Sequence, residues 1–512
     1  MNGKMLPNIS INKKNAETIL PLAIFIIAWT LIFLSPLRYM WNMSNQLSRT
    51  LSALAFENSL FDPFFSFGLP EGLPLFSLMD YVAMSTLKNI EAGRLISFTF
   101  GFGTLFVIYK TALLWFDKKT ARYSMLLLAL SPLFLLNSMA IKRETMLLFF
   151  SSMAFLLLSK YKIQEKQIYL ILTGLFLTLG SLAKPVGVFM FIGVCLYLIY
   201  ERKFNLIKEP GFYIGIILPV LMFFLLFVHP YLTKGGLNYG KNNITWHLIT
   251  YLDVSFLELI KNTATEFIVL LPLPLLILAF NGFSKLNGLG KMAIFWLFSG
   301  TLFYLVFLSG AYHHTHYASM MLPALAIIGG RGMKPTEKKL RKFLGENKKH
   351  ISKTLVPAIL IIILASASFC YADFIKPNVR YQRDMGNTGE VLRNELNDLQ
   401  SIGLTQNTQS VFFHIFSENS ENTNFLTDKE IVRLRKKPLE ELENLENKPD
   451  ILIVQIKPFK FPSGYEPQGE KSEWGEYPRI PEKDLEIILN ELPYENYKKL
   501  EYFLIIKKSK SL

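Results

Sequence analysis

Long apolar runs separated by short polar turns fill the first three quarters of the chain. They lie at 18–36, 95–116, 121–140, 145–159, 168–184, 186–200, 211–229, 264–281, 292–310, 316–330 and 354–372. A membrane-crossing helix needs ~20 apolar residues, and most of these runs approach that length. The pattern predicts an α-helical polytopic membrane protein with about eleven transmembrane helices. The shorter neighbouring runs are candidates for half-buried or re-entrant segments. The first run follows a tail with Lys4, Lys13 and Lys14, and no small-residue cleavage site comes after it. It therefore reads as a retained helix rather than a signal peptide.

Beyond residue 372 the pattern changes. Ser410–Phe416, Ile451–Ile456 and Tyr502–Lys507 are strand-like, whereas Leu439–Asn447 and Lys483–Leu492 have helical spacing. The expected order is β–α–β–loop–α–β, with Phe459–Pro481 as the loop. This predicts a small C-terminal α/β domain over 373–512, after a multi-span domain over 1–372. No strand is followed by a Gly-rich phosphate loop. Within the first domain, the long loop 37–93 contains amphipathic stretches at Asn45–Phe56 and Leu73–Met84, which suit the headgroup layer. A second loop, His229–Thr263, carries Tyr231, Tyr239, Trp246, His247 and Tyr251, read first as interfacial anchors.

Charge sets the orientation. The chain has a net charge of +14. Residues 373–512 hold 20 Lys+Arg and 24 Asp+Glu, so the excess of cations lies between the apolar runs. With the N-terminus inside and the runs alternating, the inside segments (the tail, 117–124, 160–167, 201–210, 282–291 and 331–353) carry 23 Lys+Arg, against 10 outside. The positive-inside rule then gives a multi-pass protein of the plasma (inner) membrane, its N-terminus cytoplasmic and its C-terminal domain extracytoplasmic. The same placement argues against nucleic acid as a partner. The run Arg331–Lys353, nine Lys/Arg against two Glu, reads as a topological anchor beside anionic lipid. With only 18% charged residues and 51% hydrophobic ones, the chain is not a disordered protein. Cys195 and Cys370 both sit in apolar runs and read as inert thiols.

Ionisable groups beside hydrocarbon are costly and mark candidate chemistry. Those expected at the outer face are Arg49, Glu57, Asp62, Glu71, Asp80 and Arg94 in the first loop and its exit. Lys142, Arg143 and Glu144 follow in one short turn, and Lys184 stands before Pro185. His313, His314 and His316 come last, beside Tyr312 and Tyr317. Arg, Lys and His together suit a lipid phosphate, and a carboxylate suits a general base. Bland readings stand beside these: Arg94 and Lys142 as headgroup partners, Lys184 as a snorkelling helix end. The spacing of His313 and His316 admits a metal, but no acidic or Cys ligand lies nearby. No cofactor is assigned, and a divalent cation is the one candidate.

Several short pieces, taken in order, resemble a known family. They are Glu71–Pro74–Leu75 with Gly93–Arg94–Leu95–Ile96–Ser97; Leu130–Ser131–Pro132 with Asn137–Ser138 and Arg143–Glu144; Leu182–Ala183–Lys184–Pro185; and His314–Thr315–His316–Tyr317 with Pro323 and Ala324. Over roughly 20–330 the chain resembles the GT-C membrane glycosyltransferases, of the protein mannosyltransferase and aminoarabinose transferase type. The resemblance implies inverting transfer of a sugar from a polyprenyl-phosphate carrier to a glycan, lipid or protein acceptor at the extracytoplasmic face. It further implies a base among Glu71, Glu144 and Asp62, and a lipid-phosphate site built from Arg94, Arg143, Lys184, His314 and Tyr317.

One stretch departs from the family. Where it places an Asp before the first loop helix, this chain reads Ser44–Asn45–Gln46–Leu47–Ser48–Arg49. That departure keeps two other functions open: a catalytically altered scaffold that presents the C-terminal domain, and a lipid or sugar transporter. A transporter places its ionisable groups near the bilayer midplane, so the position of Lys184 discriminates between transport and transfer.

Overall fold

The computed structural model describes residues 13–33, 74–87, 92–201, 210–217, 273–306, 315–343, 401–405, 430–434, 442–445, 448–455, 482–492, 494–500 and 503–508, with single positions at 221, 271, 358, 362 and 388. The chain divides into two compact units. The first comprises Met1–Leu31, Gly68–Phe76 and Ser97–Ala367, and the second Ile32–Phe67, Ser77–Ile96 and Ser368–Leu512. The expected helix at Asn45–Phe56, the runs at 211–229 and 354–372 over most of their length, the aromatic loop 229–263 and the strand Ser410–Phe416 lie outside the described residues.

Helices make up the first unit. In chain order they are α1 (Lys13–Phe33), α2 (Pro74–Leu87), α3 (Ala92–Trp115), α4 (Lys118–Ala129), α5 (Pro132–Met139), α6 (Glu144–Gln164), α7 (Gln167–Ala183), α8 (Val188–Tyr200), α9 (Leu273–Phe283), α10 (Met292–Val306) and α11 (Leu322–Phe343). Most of α2 and the first turn of α3 fall in the second unit. Among the described residues, three helices are long and apolar enough to cross a membrane: Ala92–Trp115, Glu144–Gln164 and Gly288–Val306.

The run 121–140, expected as one span, is instead two helices, α4 and α5, bent by 62°. The break falls at Ser131–Pro132. Proline has no N–H to continue α4, and its ring pushes Ser131 into extended backbone (φ −68°, ψ 121°). Pro132 then opens α5, where its fixed φ is favourable.

Packing follows from composition. α6 is buried on nearly all sides and lies along α7, while α9 and α4 both pack on α11. Glycine makes the closest of these contacts. A Cβ on Gly332 of α11 would lie 1.9 Å from the Leu278 carbonyl oxygen of α9, and one on Gly282 would lie 2.0 Å from that of Ile328. Phe155 of α6 stacks on Trp296 of α10, with centroids 4.4 Å apart. Trp115 Nε1 donates to Ser159 Oγ at 2.6 Å.

The basic turns expected inside gather at one end of this unit. Asp117 caps α4 by accepting from Thr120 N at 2.9 Å. It also accepts from Lys334 Nζ at 2.7 Å and Arg331 Nη1 at 3.5 Å. Lys119 pairs with Glu337 at 3.0 Å, and Arg331 lies over the Phe116 ring. Lys162 pairs with Glu201, and Lys291 donates to the Tyr200 hydroxyl at 2.6 Å. Arg331 Nε also donates to the Lys285 carbonyl at 3.4 Å, so segments 117–124, 282–291 and 331–339 meet one another, and 160–167 meets 201. Glu144 and Lys162 stand eighteen residues apart on α6, which puts about 27 Å between the polar turn 140–144 and this basic end.

In the second unit, residues 401–508 carry a five-stranded sheet of order β2-β1-β3-β5-β4. The strands are β1 (Ser401–Thr405), β2 (Glu430–Leu434), β3 (Ile451–Gln455), β4 (Tyr494–Lys499) and β5 (Phe503–Lys508). β1 is parallel to both β2 and β3, whereas β5 is antiparallel to β3 and β4. Leu452, Val454, Leu504 and Ile506 form a core with Ile488 of α12 (Glu482–Asn490) and Tyr494. β3, β5 and α12 stand where the pattern placed two strands and a helix.

Candidate functional site

Two polar segments come together in the first unit, and local sequence explains each. The α5–α6 turn, residues 140–143, lies outside any helix. Its backbone N–H and C=O groups need partners away from water. Ser97 of α3 supplies both for Lys142: its Oγ accepts from Lys142 N at 3.1 Å and donates to Lys142 O at 3.2 Å. Thr145 Oγ1 donates to the same carbonyl at 3.4 Å. On the preceding helix, Trp29 Nε1 donates to Ser138 O at 2.9 Å, and Gly101 of α3 leaves room for Ser138.

The second segment is Leu182–Ala183–Lys184–Pro185. Pro185 pushes the residue before it into extended backbone, and Lys184 sits there at φ −153°, ψ 129° as the C-cap of α7. The chain then turns back on itself through Pro185–Gly187. A Cβ on Gly187 would lie 2.8 Å from the Gly180 carbonyl carbon, so this turn needs glycine.

These local structures join the segments. Lys184 Nζ donates to Glu144 Oε1 at 2.7 Å, with side-chain exposures of 10% and 2%. Lys142 and Arg143, next in sequence, are buried as well. The turn and residue 184 thus carry three cations and one carboxylate. Taking charges out of water is expensive unless they are closely paired and hydrogen-bonded, and this concentration of buried charge is the candidate site among the described residues.

Of the other candidates, Tyr317 lies in the 3-10 segment Thr315–Met321, which packs against α5, α6 and α10. Its backbone therefore borders the same helices. Arg94 and Asp80 are fully buried and belong to the second unit. Arg94 stands on α3, one turn before Ser97. Glu71, Asp62, His313 and His314 lie outside the described residues. Among the described residues, no three His, Cys, Asp or Glu side chains are grouped to hold a metal ion.

Sequence reasoning quoted Ser97 only as part of a motif and missed its bonds to Lys142. The signal is its position in the Gly93–Ser97 helix start. Ser124, Ser138, Ser152, Ser159 and Ser181 all donate to the carbonyl four residues back in their own helices. Ser97 reaches across to another segment.

Residues 76–229 match the family model of dolichyl-phosphate-mannose-protein mannosyltransferase. None of the curated proteins matches the sequence. The fold is similar to that of ArnT from Cupriavidus metallidurans bound to undecaprenyl phosphate, with a TM-score of 0.57 at 11% identity over 96% of this chain and 98% of that one. Apo ArnT gives 0.55 at 12% identity over 97% and 98%. The Archaeoglobus fulgidus oligosaccharyltransferase in complex with Zn and sulfate gives 0.50 at 11% identity over 86% and 68%. The sequence resemblance and the fold agree: this is a multi-pass membrane protein with the GT-C glycosyltransferase fold.

Proposed function

We propose that the protein moves a sugar from a polyprenyl-phosphate carrier to a glycan, lipid or protein acceptor at the extracytoplasmic face, with inversion at the anomeric carbon. About eleven spans and an extracytoplasmic C-terminal α/β domain complete this reading. The buried Lys184–Glu144 pair beside Lys142 and Arg143 carries it. As the glycosidic bond breaks, negative charge grows on the leaving phosphate, and fixed cations stabilise it most where water is excluded. Lys184 is the phosphate cation in this reading, joined by Arg143, His314 and Tyr317.

Glu144 holds Lys184 in place. A carboxylate already bonded to an ammonium has little pull on an acceptor proton, so the base role passes to Glu71 or Asp62 of the first loop. Either would act as an acceptor hydroxyl attacks the anomeric carbon from the face opposite the phosphate. The family match and the fold of an undecaprenyl-phosphate-bound relative support a lipid-linked donor. Lys184 stands at the end of α7 against the start of α6, the end of these helices away from the basic turns, and a place at the rim rather than the midplane favours transfer over transport.

The test is a transfer assay. Purified protein is given radiolabelled undecaprenyl-phosphate mannose, glucose or aminoarabinose together with membrane extract. Wild type transfers label from one donor. Glu71→Gln or Asp62→Asn abolishes transfer, and Glu144→Gln weakens donor use. No transfer from any donor by wild type would support the scaffold reading instead.

A further inference from the structure

We propose that Ser97 is a positioning residue for the donor phosphate site. It acts by locking the turn that carries Lys142, Arg143 and Glu144. This rests on the reading above, in which Lys184 holds the lipid phosphate.

Three observations carry it. Lys142 lies in a non-helical turn with its N–H and C=O buried, and one hydroxyl, Ser97 Oγ, bonds both, at 3.1 and 3.2 Å. Ser124, Ser152 and Ser181 spend their hydroxyls on their own helix backbone, so this cross-bond is not the default for a helical serine. Glu144 follows two residues after Lys142 and grips Lys184 at 2.7 Å. Displacement of the turn therefore carries Glu144 with it and loosens Lys184. Phosphate binding by buried cations depends on their being held before the ligand arrives. Ser97 thus links α3 to Lys184 through a chain of short polar contacts, without touching the donor.

The experiment measures undecaprenyl phosphate affinity and melting temperature of the full-length protein in detergent, for wild type, Ser97→Ala and Ser97→Thr. The expected result is about tenfold weaker binding by Ser97→Ala, the size of a lost buried hydrogen-bond pair. Ser97→Thr keeps the hydroxyl and restores affinity to within about threefold. A merely structural serine would lower the melting temperature of Ser97→Ala and leave affinity unchanged at a temperature where both proteins are folded; that result overturns the proposal. Hydrogen exchange on the wild type gives a second check. The Lys142 amide is expected to exchange slowly although it lies outside any helix, and fast exchange would also overturn the proposal. Wild type that binds while Ser97→Ala binds equally well removes only the role of Ser97. Wild type that fails to bind undecaprenyl phosphate removes the phosphate-site reading itself.

Discussion

Lys184 Nζ lies 2.7 Å from Glu144 Oε1, joining the end of one helix to the start of another across forty residues. Removing one partner of a buried ion pair takes the close counter-ion from the other, at a cost of about 3–5 kcal/mol. Glu144→Leu and Lys184→Met alone should each destabilise the protein by about that much. The double substitution replaces both charges with apolar groups and should recover most of the loss. Thermal melting of the four proteins checks this cycle. Additive losses in the double variant would mean that the two side chains do not depend on each other.

Asn137 offers a test of opposite sign. Its carboxamide is fully buried in α5, and neither its oxygen nor its nitrogen has a hydrogen-bond partner among the described residues. An unsatisfied buried amide costs about 1–3 kcal/mol. Asn137→Leu should therefore raise stability by about 1 kcal/mol, read as a higher melting temperature. A lower one would contradict the assignment.

At the basic end, burial pushes the Asp117 carboxyl up, but Lys334 and the Thr120 backbone outweigh it and hold the group below the usual carboxylate range. A group depressed in the folded protein contributes stability above its unfolded pKa, lost as pH falls through the folded value. The window lies below about pH 4. Asp117 is 36% exposed, so solvent screening keeps the effect near or under about 1 kcal/mol. Asp117→Asn keeps a capping oxygen and should flatten that part of the stability–pH curve. An unchanged curve would show that the Lys334 contact contributes nothing.

Close helix packing gives the largest expected loss. A Cβ at Gly332 would meet the Leu278 carbonyl oxygen at 1.9 Å, and backbone cannot swing aside as a side chain can. Gly332→Ala should force α9 and α11 apart, at a cost of about 2–3 kcal/mol. Detergent-solubilised protein should melt several degrees lower. Wild-type melting would show that α11 shifts at no cost.

The sequence was legible where one physical rule dominated. The runs at 95–116 and 145–159 are predominantly apolar and became α3 and α6. Ile451–Ile456 and Tyr502–Lys507 are apolar strands and became β3 and β5. Glu144 and Lys184 stood out as charges beside apolar runs, and the structure pairs them. The break at Ser131–Pro132 was written in the proline, but the apolar character on both sides outweighed it. β4, Tyr494–Lys499, is mostly polar after Tyr494 and is a strand because β5 pairs with it. Its own residues do not announce it. The Ser97–Lys142 contact joins residues forty-five positions apart through backbone atoms, which no side-chain pattern encodes.

Undecaprenyl phosphate titration tests the phosphate reading most directly. The proteins compared are wild type, Lys184→Arg and the Glu144→Leu/Lys184→Met double variant, which retains the fold if the cycle above holds. A charge-assisted contact is worth about 1.5–3 kcal/mol, so the double variant should bind about ten- to a hundredfold more weakly. Lys184→Arg keeps the charge and should remain within about fivefold of wild type. Wild-type affinity in the double variant would contradict the account.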